Sequence, residues 1–254
     1  MFDAIYISAV GLQAQKEQLD AAANNLSNAN TTAYKRQRVD FSAVLDRAPA
    51  RPSADMAPSG AQTVARKLRV DLAQGDLHTT GRALDLAIVG AGFVEVDVGQ
   101  GASAYSRAGS LQVNADGMLA LADGHVLKAD IRVPRGASAI EIRPDGTVVA
   151  RVPGESMASV LGQVDLVTFA NPESLEYQGD GLFMARANAS EPVRSRPTED
   201  GAGKLVAGSL EASNVRMVDE MVSLLLMQRV YELNAKVVQA ADEMTGMTNN
   251  LRHA

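Results

Sequence analysis

The stretch NVRMVDEMVSLLLMQRVYELNAKVVQAADEMTGMTNNL, Asn214 to Leu251, decides how the rest of the chain is read. Its apolar positions are Val215, Val218, Val222, Leu226, Val230, Leu233, Val237, Ala240, Met244, Met247 and Leu251. They step by three or four residues throughout, and from Leu226 onward the steps alternate four, three, four, three. That is the narrow a/d seam of a heptad pattern, the stripe one helix buries against another. The run of fours around Val222 is a stutter, which locally relaxes supercoiling. No proline interrupts the stretch and its one glycine is Gly246. A helix of about 37 residues, roughly 55 Å long, is therefore predicted. So long a one-sided helix needs an equally long partner.

The other end of the chain offers one. Phe2, Ile5, Ala9, Leu12, Leu19, Ala23 and Leu26 again step in threes and fours around Lys16, and Ile5, Leu12, Leu19 and Leu26 fall seven apart. Both termini thus read as amphipathic helices bracketing a middle of different texture. They form either an intramolecular hairpin capping a globular domain or the contact surface of a polymer.

At 254 residues the chain has room for one large domain or two small ones with ample core. Its net charge is −6 with the cations scattered, and no basic face or aromatic platform for nucleic acid appears. There is no cysteine, so disulfides, thiolate metal sites and a cysteine nucleophile are excluded. The first helix carries Asp3, Lys16 and Glu17, so it reads as neither a cleaved secretory signal nor a membrane span.

Asn24, Asn25, Asn28 and Asn30, followed by Thr31 and Thr32, end the first helix near Asn28, because short polar side chains compete for nearby backbone. The basic run Tyr34-Lys35-Arg36 with Arg38 reads as a solvated face. Asp46 to Arg66 holds Pro49, Pro52, Pro58 and Gly60 among Ala and Ser, the composition of an extended linker or long loop. From about Val70 to Ala207 the pattern is β. Leu84–Ile88 and Phe93–Val98 alternate at period two across the Gly90-Ala91-Gly92 turn, and Asp116-Gly117, Asp123-Gly124 and Asp145-Gly146 mark hairpins. Ser213 or Asn214 is the expected N-cap of the last helix. The predicted class is α+β: paired terminal helices and an inserted antiparallel domain of sandwich or barrel type. The predicted divisions are 1–33 (N-terminal helix), 34–76 (linker), 77–208 (β domain) and 209–254 (C-terminal helix).

Chemistry is hard to find. Gly90-Ala91-Gly92 lacks the third glycine of a phosphate loop and precedes a strand where a helix is required. Gly154-Glu155-Ser156-Met157-Ala158 misses the last glycine of a nucleophile elbow. His78, His125 and His253 have no ligand spacing with carboxylates. No catalytic residue, cofactor or metal is expected.

Three motifs also resemble one family. LDAAANNLSNANTTAYKRQRVDF (Leu19–Phe41) is similar to the N-terminal signature of bacterial flagellar rod and hook proteins. GRALDLAIVGAGFVEV and AYSRAGSLQVNADGMLAL resemble its β region, and GSLEASNVRMVDEMVSLLLMQRVYELNAKVVQAADEM (Gly208–Met244) its C-terminal signature. NTTAYKRQR and GQVDLVTFANPESLEYQGDGLF look most like the distal rod members, with the proximal rod paralogues next.

The resemblance implies a non-enzymatic subunit exported without a cleaved signal through the flagellar type III apparatus. It implies a helical homopolymer in the basal body, across the periplasm, meeting other axial proteins (proximal rod, hook) and the surrounding rings, with no nucleic acid and no membrane insertion. The expected assembly interface comprises Ile5, Leu12, Leu19, Leu26, Val218, Val222, Leu226, Val230, Leu233, Val237 and Met244, with Asn25, Asn28, Tyr34 and Asn214. A rival reading of another class is a β domain that binds a sugar or peptide and is merely dimerised by a coiled coil. Sedimentation against concentration separates the two.

Overall fold

The computed structural model describes residues 2–43, 64–99, 101–152, 157–186 and 189–253. The fold is α+β and divides into two compact units, Met1–Leu26 with Gln37–Asp71 and Met217–Ala254, and Ser27–Arg36 with Leu72–Arg216.

The first unit holds helix α1 (Phe2–Ser27), strands β1 (Gln37–Ala43) and β2 (Val64–Val70), and helix α2 (Met217–His253). Gln15 Nε2 donates to the Met227 carbonyl at 3.3 Å, and Asn25 Nδ2 to Glu220 Oε2 at 3.4 Å. Advancing along α1 therefore means retreating along α2, so the helices run antiparallel. Strands β1 and β2 pair antiparallel from Gln37–Val70 to Ala43–Val64. This corrects the expected linker over 34–76, whose two flanks form a ladder because Val39, Phe41, Val64, Leu68 and Val70 alternate at strand period. The Pro-rich stretch 46–63 lies outside the described residues.

The second unit is antiparallel in every pairing described. Its strands are β3 (Leu77–Thr79), β4 (Leu86–Val89), β5 (Val94–Asp97), β6 (Ser103–Ser106), β7 (Leu111–Val113), β8 (Leu119–Leu121) and β9 (Val126–Leu127). There follow β10 (Ser138–Ile142), β11 (Thr147–Arg151), β12 (Ser159–Gln163), β13 (Leu166–Thr168), β14 (Leu175–Gly179), β15 (Leu182–Ala185), β16 (Val193–Ser195), β17 (Lys204–Ala207) and β18 (Ser209–Glu211). A seven-stranded sheet runs β14-β15-β6-β5-β9-β8-β7, a three-stranded sheet β10-β11-β12, and β13-β16, β17-β4 and β18-β3 form ribbons.

The Asp-Gly dipeptides turn the chain between β7 and β8, β8 and β9, and β10 and β11. At two of them the aspartate fastens its own turn: Asp123 Oδ1 accepts from the His125 N–H and Asp145 Oδ1 from the Thr147 N–H, both at 3.0 Å. One helical turn, Pro172–Ser174, interrupts a region read as purely β. A single core joins the sheets, with Val96, Leu119, Val148 and Leu166 fully buried beside Leu86, Ile88 and Leu205. Gly109 belongs to this packing, since a Cβ there would collide with the Leu86 carbonyl.

Candidate functional site

Helix α2 begins at Met217, not at Ser213 or Asn214. The face it shields carries Glu220 (buried) and Leu224, Met227, Ala235 and Val238 (half-buried). At 100° per residue this face lies roughly 150° around the helix from the heptad stripe. The stripe is accordingly exposed: Val218 at 72 %, Leu226 at 62 % and Leu233 at 61 %, with Val222, Val230 and Val237 exposed as well. The heptad stripe therefore does not lie on the face that α2 shields within the chain. The Asn25–Glu220 contact lies on the shielded face of α2, away from the stripe. On α1, Leu12, Leu19 and Leu26 are half-buried. The side chains of Ile5 and Met244 fall outside the described residues.

The signature residues behave differently. Asn25 is 1 % exposed and pairs twice with the backbone of one residue: its Oδ1 accepts from the Gln37 N–H at 2.8 Å and its Nδ2 donates to the Gln37 carbonyl at 2.9 Å. Its amide thereby mimics a ladder partner and ties α1 to the first residue of β1. Asn28 is half-buried and closes the turn after α1, its carbonyl accepting from the Thr31 N–H at 3.1 Å and its Oδ1 from the Thr31 hydroxyl at 3.2 Å. Tyr34 is buried, its ring 6.2 Å from that of Tyr177 in an edge-on contact. Asn25 and Tyr34 thus act inside the chain rather than on its surface.

Three passages of the second unit converge beside Tyr34. The Ala33 N–H donates to the Glu211 carbonyl at 2.8 Å, and the Ala212 N–H to the Asp76 carbonyl at 2.8 Å. Asn214 bridges two passages: its Oδ1 accepts from the Arg36 N–H at 2.7 Å and its Nδ2 donates to the Ala73 carbonyl at 3.0 Å. That use of its side chain explains why it does not cap α2. Gly75 is required here, because a Cβ would strike the Ala212 carbonyl.

At the centre sits a buried charge triplet. Lys35 Nζ donates to Glu211 Oε1 at 2.5 Å and to the Ala73 carbonyl at 2.7 Å. Arg107 Nε donates to Glu211 Oε2 at 3.0 Å, and its other nitrogens donate to the carbonyls of Ile88, Gly90 and Gly92. The Gly75 N–H adds a third contact to the carboxylate at 2.9 Å. The side chains of Lys35 and Glu211 are wholly inaccessible, so Lys35 is no part of a solvated face. Burial at this depth is tolerated because each charge has a counter-charge and the surplus cation is met by carbonyl oxygens. Nothing local in the sequence signals it: the partner of Lys35 lies 176 residues away.

The described residues hold no cluster of three or more His, Asp or Glu side chains able to take a metal, and no helix among them is long and apolar enough to cross a membrane. Ser156 lies outside the described residues. A helical unit with an uncovered apolar stripe and a β unit whose buried Lys35, Glu211 and Arg107 are engaged with one another have the character of a structural subunit.

Comparison with known proteins narrows that class. Residues 5–35 match the flagella basal body rod protein family, 87–150 the D1 domain of the flagellar hook proteins FlgE/F/G, and 206–251 the C-terminal region of the rod proteins FlgEFG. The flagellar basal-body rod protein FlgG of Agrobacterium fabrum is 37 % identical over 97 % of this chain and 98 % of its own length. FlgG of Caulobacter vibrioides is 35 % identical over 98 % and 99 %. FlgF of Salmonella typhimurium is 32 % identical over 99 % and 98 %. The chain belongs to the flagellar basal-body rod protein family, a structural family and not one of enzymes.

Proposed function

We propose that this protein is a non-catalytic subunit of the flagellar rod, polymerising through its terminal helices into a hollow helical tube that carries torque from motor to hook. The observation that carries the reading is the continuous stripe Val218, Val222, Leu226, Val230, Leu233 and Val237, left open to solvent along a 37-residue helix. An apolar row of that length calls for a partner surface, and neighbouring copies supply α1 and α2 stripes for coiled-coil pairing. Ile5, Leu12, Leu19, Leu26 and Met244 extend the same interface. The β body, whose one core lies under the seven-stranded sheet and its flanking ribbons, serves as a sandwich-like outer domain.

The full-length similarity to FlgG proteins supports a distal rod position, and the similarity to FlgF supports the proximal rod as the second reading. Contacts with other axial proteins and with the surrounding rings, and delivery by the flagellar export apparatus, follow from that position. Sedimentation velocity over a rising concentration series tests the reading. Growth into open-ended filaments supports it, whereas arrest at a closed dimer or trimer contradicts it and favours a dimerised binding module.

A further inference from the structure

The segments that carry the family resemblance meet at one point. Lys35 lies in the first, the Ile88, Gly90 and Gly92 carbonyls in the second, Arg107 in the third, and Glu211 with Asn214 in the last. None of these residues belongs to the exposed stripe. We propose that Lys35, Glu211 and Arg107 form a charge-locked joint that holds the passage leaving α1, the passage after β2 and the passage entering α2 in one register within the second unit. The joint is independent of the self-assembly reading above.

A carboxylate shared by two cations suits this task. Glu211 comes from the passage entering α2, Lys35 from the passage leaving α1, Arg107 from the β body, and the Gly75 N–H and Ala73 carbonyl from the passage after β2. Removing Glu211 takes the shared anion from two buried cations. Removing Lys35 leaves the Glu211–Arg107 pair, and removing the passage after β2 takes only neutral contacts. Losing the shared charge costs far more than a lost apolar contact. Closure is therefore cooperative, with the largest penalty for losing the passage that carries Glu211. A purely apolar joint of the same volume tolerates sliding by a residue, because apolar contact is non-directional. The Asn214 bridge and the tight approach at Gly75 fix the same register.

Backbone hydrogen exchange on the full chain, at a concentration where it is monomeric, tests the proposal with Glu211→Gln, Lys35→Met and the double variant. In Glu211→Gln two cations lose their anion. Exchange at the amides of Ala33, Gly75, Ala212 and Asn214 should accelerate together, on the order of a hundredfold, while β5 and β11 stay protected. Lys35→Met keeps the Glu211–Arg107 pair, so its effect should be smaller, about tenfold, and confined to the same amides. The double variant should exchange more slowly there than Glu211→Gln alone, since one stranded cation is gone. Unchanged exchange at the joint overturns the proposal, and so does equal acceleration across joint and core. Should Glu211→Gln fail to fold, Lys35→Met decides by the same criterion. Failure of the parent protein to form filaments sinks the rod reading but leaves this comparison intact.

Discussion

The two units of this protein satisfy their apolar side chains in opposite ways. In the β body Val96, Leu119, Val148 and Leu166 are fully covered by their own chain. Along α2, Leu226 and Leu233 have about three-fifths of their surface in water. Both regions are rich in aliphatic residues, so composition does not separate them. What differs is where the covering surface comes from. A period-two strand finds its partners in the next hairpins, whereas a heptad stripe on a long helix has to find another helix. The body covers its core within one copy; the stripe stays in water.

The strongest way to break the body's half of this contrast is Gly109→Ala. A Cβ there enters the Leu86 carbonyl, so the β unit should fail to reach its native fold, seen as loss of the cooperative thermal transition. Leu119→Ala is the graded version. It removes a fully buried side chain and should cost about 2–5 kcal/mol in a urea titration. The matched stripe change, Leu226→Ala, should move the monomer's midpoint by less than about 0.5 kcal/mol, because an exposed side chain contributes little. Equal costs for the two leucines contradict the contrast.

Asn25→Ala falls between these extremes. Losing both contacts to the Gln37 backbone leaves a buried N–H and carbonyl unpaired, a penalty of about 1–3 kcal/mol felt by α1 and β1. Proteolysis should then cut in the segment joining them while the β body resists.

The smallest expected effect is electrostatic. Burial pushes the Glu95 carboxyl up, but hydrogen bonds with Ser103 and Lys128 and the charges of Arg194 and Lys128 outweigh it and hold the group below its ordinary value. Arg194 lies 2.7 Å from one carboxylate oxygen and Lys128 3.1 Å from the other. A carboxyl held low in the fold stabilises it above the unfolded-state value and ceases to do so as pH drops through the folded one. Urea midpoints should therefore fall below about pH 4.5 in the parent protein, and fall less steeply in Glu95→Gln. Parallel acid limbs for the two proteins contradict this assignment.

Much of this arrangement was legible in the residues. The Asp-Gly turns placed three hairpins because each dipeptide sets its own geometry locally, and the asparagine-rich end of α1 came out at Ser27. The stripe on α2 was equally readable, but its direction was not. Periodicity locates an apolar face without saying whether that face turns inward, and here the shielded face, with the Asn25–Glu220 contact, lies away from the stripe. The joint was the least visible feature. Lys35 sits in a basic run whose neighbours Arg36 and Arg38 stay half-buried and exposed, and only a carboxylate 176 residues away distinguishes it. For the same reason Asn214, read as a helix cap, proved to be a bridge between passages. Local rules predict local partners, and a buried ion pair is a long-range one.

The central claim is that the exposed stripe is unfinished surface, completed only by further copies. Leu233→Asp tests it most directly, compared with the parent protein by sedimentation and negative-stain microscopy alongside thermal melting of the monomer. The account predicts an unchanged monomer transition with filament growth abolished. Filaments of normal length from the aspartate variant would contradict it.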